Sequence, residues 1–173
     1  MTRRTASKRT ILLLAWLMVA ECLLAQTSHP ASAKVDRVLV LKHKRILRLL
    51  HGKNVLKEYR VSLGRSPLGP KMQQGDHKTP EGVYVLDSRN NHSRYHKSLH
   101  ISYPTSGQGE AARRRGVTPG GDVFVHGLPN RYHGPSAANR IYDWTDGCIA
   151  VTDAEMDEIW NAVPNGTTIE IRP

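Results

Sequence analysis

The chain has 173 residues and a net charge of +10, because its 25 lysines and arginines outnumber its 15 acidic residues. This length allows one domain with a full core, and the sequence has no internal repeat, low-complexity tract or interdomain linker, which excludes repeat architectures and largely disordered proteins. The basic residues are dispersed along the chain, so the charge predicts either a solvated basic surface or contact with anionic polymers or membrane surfaces.

The first 33 residues have the composition of a secretory signal. Residues 1–10 contain four basic side chains and no acid, residues 11–20 are apolar without interruption, and small residues end the segment at Ala33. A transmembrane helix needs about 20 apolar residues, so this run is short for one. We therefore expect a signal peptide over 1–33, with cleavage after Ala33 or, as a second choice, Ala25. The alternative is an uncleaved N-terminal anchor, which would be the protein's contact with a membrane. Export also argues against a nucleic-acid partner.

Three short strands are predicted in the first third of the remaining chain. Apolar residues favour strands over 35–41, 45–50 and 55–63, and the turn cluster 51–54 joins the last two as a hairpin. Residues 64–80 contain several glycines and prolines, which exclude long regular elements and predict a loop.

The middle of the chain predicts more strands and one short helix. Residues 82–86, 99–103 and 122–125 have the apolar composition of strands. The polar stretch 87–98 predicts a surface loop, and 107–116 predicts a short helix that is ended by a glycine and a nearby proline.

A second helix is predicted near the end of the chain. Thr152 and Glu155 have the spacing of a capping box, and apolar residues follow at helical spacing until the sequence Pro-Asn-Gly at 164–166 ends the helix. Residues 167–171 predict a final strand. We therefore expect residues 34–173 to form a single, mainly β domain with one or two short helices.

Cys148 is a candidate nucleophile, because it stands alone after residue 33 and exported domains generally pair their cysteines or lack them. The thiolate is the reactive form, and a free thiol has a pKa of about 8.5. His126, at the end of a predicted strand, can take the proton, and the predicted helix start can favour the anion. Gly147 allows close approach of the backbone and can donate an amide to an oxyanion. These parts predict acyl transfer through a thioester. The alternatives are a cysteine that fills the core and a histidine with a structural role.

Two segments, 123–127 and 145–148, resemble the signature of L,D-transpeptidases of the YkuD type, in which a histidine and a spacer precede Ser/Thr-His-Gly-Cys. Further similarity lies in a Gly-rich approach and a Thr-Pro-x-Gly strand entry within 64–84, and the matches span roughly 35–172. The resemblance implies a β-sandwich-like YkuD fold and no cofactor.

The resemblance also implies roles for the residues that match the signature. Cys148 would be the nucleophile, and His126 would be the general base and acid. The carbonyl at Gly127 would orient the His126 ring. The amides of Gly147 and Cys148 would form the oxyanion hole.

Three further residues are expected to contact the substrate or shape its pocket. Trp144 would form part of the pocket wall, and Asp146, which replaces the family's histidine, would contact the substrate's amine or steer His133. The chain also departs from the family pattern at Ala150, where many members have arginine, and in an 18-residue spacer between the histidine and Thr145. These departures leave the binding of the acyl donor and the preferred acceptor open.

No metal site is expected. His92, His96 and His100 are spaced four residues apart, but predicted loop and strand surround them, and no cysteine or acidic cluster joins them.

The resemblance implies a periplasmic enzyme that acts on peptidoglycan stem peptides. It would cleave a tetrapeptide stem after its L-centre, release the terminal D-alanine and hold the stem on Cys148. An amine on a second stem, or on an envelope protein, would then resolve the thioester. An L,D-carboxypeptidase or an amidase would use the same site with water as the acceptor. A non-catalytic murein-binding protein with a basic surface is the alternative from a different class.

Overall fold

The computed structural model describes residues 34–136 and 141–173. The signal peptide expected over 1–33 lies outside the described residues and stays a prediction. Within the two described ranges, no helix is both long and apolar enough to cross a membrane.

The described residues form eight strands, two α-helices and one 3-10 turn. The strands are β1 (Arg37–Leu41), β2 (Ile46–His51), β3 (Asn54–Arg60), β4 (Gly82–Ser93), β5 (His96–Ile101), β6 (Phe124–His126), β7 (Ile149–Ala150) and β8 (Thr167–Arg172). The helices are α1 (Ser106–Arg114) and α2 (Asp153–Ala162), and the 3-10 turn spans Lys42–Lys44. The expectation of a mainly β fold with short helices is confirmed.

All eight strands belong to one sheet, in the order β3-β2-β1-β8-β4-β5-β6-β7. The β1–β8 and β6–β7 pairs are parallel, and the other pairs are antiparallel. Beyond β3 the chain reaches the opposite edge of the sheet, where Ser62 and Ala150 exchange two backbone hydrogen bonds of 2.9 Å. The sandwich-like expectation therefore takes the form of a single sheet that curls until its two edges meet.

The core lies on the inner face of this curled sheet. In the central β1–β8 pair, Val38 lies beside Ile169 and Val40 beside Ile171, and all four are at most 2% exposed. This alternation of buried and partly exposed residues follows from the two-residue period of a strand. Helix α2 contributes its buried apolar residues to the same core.

The capping box predicted for α2 is confirmed. The Glu155 amide donates to the Thr152 hydroxyl at 3.3 Å, and the Thr152 amide donates to the Glu155 carboxylate at 3.0 Å. In the first turn of α2, the Asp153 carboxylate accepts from the Leu128 amide at 2.7 Å. The helix start is thereby tied to the segment that follows β6.

The surface loop predicted over 87–98 is wrong, because this stretch forms a hairpin. Strand β4 continues to Ser93, β5 begins at His96, and Arg94 and Tyr95 form the turn between them. Residues 87–92 are exposed and polar, so the apolar alternation that marks a half-buried strand is missing there. The backbone pairing of Arg89 with Leu99 holds the arm as a strand nevertheless.

Candidate active site

Cys148 and His126 are brought together where the two edges of the sheet meet. His126 ends β6 and pairs with Ala150 of β7, and the Val151 amide donates to the His126 carbonyl at 3.0 Å. Cys148 immediately precedes β7. Both side chains line one cavity of about 470 Å³, which we call the histidine-side cavity.

The His126 ring is neutral at neutral pH and has a defined tautomer. It is 4% exposed, and burial lowers its pKa to about 4. Nδ1 lies 2.7 Å from the Gly127 carbonyl. Because a carbonyl only accepts, Nδ1 carries the proton and Nε2 has a free lone pair. The rings of Tyr95 and Trp144 pack against the imidazole at centroid distances of 4.6 and 5.8 Å.

The direction of the Gly127 carbonyl is fixed by close packing. A Cβ atom on Gly127 would lie 2.6 Å from the Asp153 carboxylate and 3.0 Å from His96 Cβ, so a larger residue would have to displace these neighbours. The Gly127 amide donates to the Tyr95 carbonyl at 3.1 Å. Helix α2 and the hairpin turn thus hold from both sides the peptide that orients His126.

The Cys148 thiol is half-buried and unpaired, and its pKa is raised. Burial is the main cause, and the Asp146 and Asp122 carboxylates add to it, whereas the Phe124 amide and Lys71 act in the opposite direction. Sγ lies 3.7 Å from the Asp122 carbonyl.

The start of helix α2 does not stabilise a Cys148 thiolate, in contrast to the expectation from the sequence. Helix α2 begins only at Asp153, with β7 between it and the thiol, and the influence of a helix end falls off within about one turn. The resting pair is therefore a neutral thiol and a neutral imidazole.

Gly147 has a conformation that needs glycine. Its φ is +134°, and a Cβ atom there would lie 2.7 Å from the Lys78 carbonyl. Its amide, one of the two expected oxyanion donors, already donates to the Thr145 hydroxyl at 3.1 Å. The same hydroxyl donates to the Cys148 carbonyl at 2.7 Å, which fixes the turn. For the Cys148 amide, the described residues supply no acceptor.

Asp146 lies at the mouth of the site and contacts two residues of the 64–80 loop. Its carboxylate accepts from Arg65 and, at 2.9 Å, from His77 Nδ1. These two partners, Arg65 first, lower the pKa of Asp146. The structure pairs Asp146 with His77, whereas His133 is exposed and lines none of the cavities described in this structure, so a role for His133 stays a prediction.

Cys148 also lines a second cavity of about 520 Å³, which we call the lysine-side cavity. The buried Lys71 ammonium lies in its wall and donates to the Asp76 carboxylate at 2.8 Å. Burial alone would raise the pKa of Asp76, but Lys71 and three backbone amides lower it to about 2. Asp122, Asp146 and Cys148 line both cavities, so the thiol stands on the wall that separates them.

Trp144 lines the histidine-side cavity, as expected for a wall residue. Its indole Nε1 is buried and has no hydrogen-bond partner among the described residues. The neighbouring Asp143 instead anchors this segment, since its carboxylate accepts from Arg45 at 2.7 Å and from the Leu63 amide at 2.9 Å.

The three regularly spaced histidines have separate surroundings. His92 lines the histidine-side cavity, His96 lies 2.7 Å from the Asp157 carboxylate, and His100 lies 2.6 Å from Asp87. In the part of the chain that the structure describes, no three His, Cys, Asp or Glu side chains are grouped as metal ligands.

The comparisons with known proteins all point to L,D-transpeptidases. Residues 35–171 match the model of the YkuD family, the L,D-transpeptidase catalytic domain. Over 115 residues the chain is 30% identical to YafK of Escherichia coli K12, whose L,D-transpeptidase name is itself provisional. This match covers 63% of the chain and 37% of YafK.

Two solved structures share the fold. The helical cell shape determining protein Pgp2 of Campylobacter jejuni is 25% identical, with a TM-score of 0.61, 80% of this chain covered and 47% of Pgp2. The L,D-transpeptidase of Xylanimonas cellulosilytica is 18% identical, with a TM-score of 0.52 and coverages of 83% and 63%. The chain spans less than half the length of YafK and Pgp2.

Proposed function

Because the chain belongs to the YkuD family of L,D-transpeptidase catalytic domains, we propose that it is a peptidoglycan L,D-transpeptidase that works through a thioester on Cys148. The family supports a peptidoglycan-related activity. The observation that carries the finer proposal is the shared cavity of Cys148 and His126, in which the Gly127 carbonyl leaves His126 Nε2 free to accept a proton.

The first half-reaction forms the acyl-enzyme. Cys148 Sγ attacks the carbonyl carbon at the L-centre of a tetrapeptide stem while the thiol proton passes to His126 Nε2. The Cys148 amide, which has no acceptor among the described residues, would donate to the oxyanion. The Gly147 amide could donate as well if it left its hydrogen bond with the Thr145 hydroxyl. The carbon–nitrogen bond then breaks, and His126 returns the proton to the departing D-alanine amine.

The second half-reaction runs through the same groups in reverse. An acceptor amine attacks the thioester carbon, His126 takes its proton, and Cys148 leaves. Departing and incoming amines both exchange a proton with His126, so both use the histidine-side cavity. The acyl chain then lies on the other side of the thiol, in the lysine-side cavity with Lys71 and Asp122.

The proposal includes the place of action. Residues 1–33 act as the signal peptide, and residues 34–173 are the catalytic domain, which works in the periplasm on stem peptides. A role in setting cell shape is part of the proposal, since Pgp2 is named for that property. An envelope protein is a second class of acceptor.

The test is covalent labelling of the purified protein with a carbapenem, read by intact mass. We expect one adduct on the wild type and none on Cys148→Ala, and digestion of murein should then yield new cross-links or stems joined to protein. A folded wild type that takes no adduct contradicts the proposal and favours a murein-binding module. Stems that are only shortened would assign the hydrolytic alternative.

A further inference from the structure

A third cavity, of about 430 Å³, adjoins the site, and we call it the arginine-side cavity. It is lined by Arg94, Tyr95, Pro129, Asn130 and Arg131. Arg94 and Tyr95 line the histidine-side cavity as well, so the two spaces meet at the hairpin turn. The lining residues of the arginine-side cavity include two arginines and no acidic residue.

The walls of the arginine-side cavity are fixed by Asn130. Its amide donates to the Arg94 carbonyl at 3.0 Å, its side-chain nitrogen donates to the Ser93 carbonyl at 3.0 Å, and its side-chain oxygen accepts from the His96 amide at 2.7 Å. One residue thus joins the 129–131 segment to the turn of the β4–β5 hairpin. The cavity is held in shape before any ligand arrives.

The two arginines have charge available for a ligand. Within the described ranges, neither Arg94 nor Arg131 has an ion pair or a side-chain hydrogen bond, whereas Arg45, Arg48 and Arg65 each pair with a carboxylate. Residues 137–140, which the structure does not describe, include no acidic residue. Guanidinium groups bind carboxylates through paired hydrogen bonds, so a carboxylate is the ligand that this lining fits.

The position of this cavity relates it to the acyl acceptor. The proposed mechanism places the incoming amine in the histidine-side cavity, beside His126. A molecule that presents its amine there extends past Tyr95 toward Arg94 and Arg131. The proposed mechanism places the acyl donor in the lysine-side cavity, which shares no lining residue with the arginine-side cavity.

We propose that the arginine-side cavity binds a carboxylate of the acyl acceptor and thereby selects, over water and simple amines, acceptors that carry both an amine and a carboxylate. This inference rests on the proposed thioester mechanism. In the transfer step, the acceptor nitrogen bonds to the thioester carbon and the carbon–sulfur bond breaks. The proton lost by the amine passes through His126 to the Cys148 thiolate.

The experiment uses the full protein, a synthetic tetrapeptide donor and six acceptors, which are glycine, diglycine and triglycine, each as the free acid and as the C-terminal amide. Transfer products are quantified by mass, and the ratio of acid to amide product is compared between proteins. Intrinsic differences in amine reactivity are the same for every protein and cancel in this comparison. The variants are Arg94→Gln/Arg131→Gln and, as a control with the same change in charge, Arg113→Gln/Arg114→Gln in α1.

We expect the acid-to-amide ratio, at the length that spans the two cavities, to fall about tenfold in the Arg94→Gln/Arg131→Gln protein, given two partly solvated ion contacts. The control variant should keep both the wild-type ratio and the wild-type rate of carbapenem acylation, and intact mass checks that the Arg94→Gln/Arg131→Gln protein still forms an acyl-enzyme. An unchanged ratio at every length, or hydrolysis in place of transfer to any amine, overturns the inference while the acyl-enzyme stands. A wild type that forms no acyl-enzyme overturns the proposed function as well.

Discussion

Cys148 and His126 are both uncharged at rest, and this determines what each contributes to reactivity. Burial raises the pKa of the thiol and lowers the pKa of the imidazole to about 4. In the proposed mechanism the proton therefore moves while the carbon–sulfur bond forms, and His126 Nε2 receives it. Catalysis would then depend on a positioned base more than on a preformed thiolate.

Replacement of His126 with alanine should slow acylation by about 10²–10⁴-fold, the usual contribution of a positioned general base. Stopped-flow measurement of carbapenem acylation gives the rate constant, and circular dichroism checks that the variant is folded. Tyr132→Phe is the control, because it removes only the Tyr132 hydroxyl, which donates to the Pro135 carbonyl. A folded His126→Ala protein that acylates within a few-fold of wild type would remove His126 from the mechanism.

The residues to which we assign the chemistry could be picked out from the sequence, but their partners could not. Cys148, His126 and Gly127 stand out because a lone thiol, a strand-end histidine and a glycine form a recognisable order in the chain. Arg65 and His77 meet Asp146 only through tertiary contact, 81 and 69 residues away. For His77, the one available signal was its place in the Gly-rich segment.

At the scale of elements, one buried lysine ties two parts of the 64–80 segment to the 3-10 turn after β1. Lys42 Nζ donates to the Gly69 carbonyl at 2.8 Å, to the Thr79 carbonyl at 2.9 Å and to the Glu81 carboxylate at 2.7 Å. This segment has no regular structure of its own, yet it supplies Lys71 to the lysine-side cavity. The short 3-10 turn after β1 therefore positions one side of the site.

The Lys42→Met substitution should lower the free energy of unfolding by about 3 kcal/mol, because it leaves a partly buried carboxylate and two carbonyls without their donor. The matched control is Lys44→Met in the same turn, where the side chain is exposed and we expect a change below about 0.5 kcal/mol. Urea unfolding followed by fluorescence measures both. Equal losses in the two variants would contradict the anchoring role of Lys42.

The elements differed in how well local sequence revealed them. The capping box of α2 and the turn between β2 and β3 are local signals, and both were predicted. The outer half of the β4–β5 hairpin is polar and exposed, and β7 has two residues, so neither leaves a periodic pattern. The cavities form between such elements, which is why their linings could not be derived from local patterns.

At the scale of the molecule, the closure of the sheet and the burial of His126 make stability depend on pH. The folded protein holds the pKa of His126 at about 4, whereas the unfolded chain has the ordinary value of about 6.5. As the pH falls from 6.5 to 4, the unfolded state binds a proton on His126 that the folded state does not bind. The stability that comes from the buried neutral ring is therefore present above this window and is lost within it. At about 1.4 kcal/mol per pKa unit, the loss is about 3 kcal/mol.

Urea unfolding at pH 7 and at pH 4 tests this dependence. Wild type should lose about 3 kcal/mol more between these values than His126→Gln, which has no proton to bind at this position. The other titrating groups are shared and cancel, and Asp76, with a pKa of about 2, stays ionised throughout. The same loss in both proteins would mean that the His126 ring is hydrated and titrates normally.

Because the Cys148 thiol is protonated at rest, it should also resist oxidation. Peroxides and disulfides react with thiolates, so a cysteine that stays protonated at neutral pH is consumed slowly by them. In the proposed mechanism the thiol reacts only with an electrophile that fits against both Cys148 Sγ and His126. The shape of the site therefore selects the reagents. Small oxidants should therefore inactivate the protein far more slowly than acylating ligands of modest intrinsic reactivity, although the half-buried Cys148 thiol has no disulfide partner among the described residues.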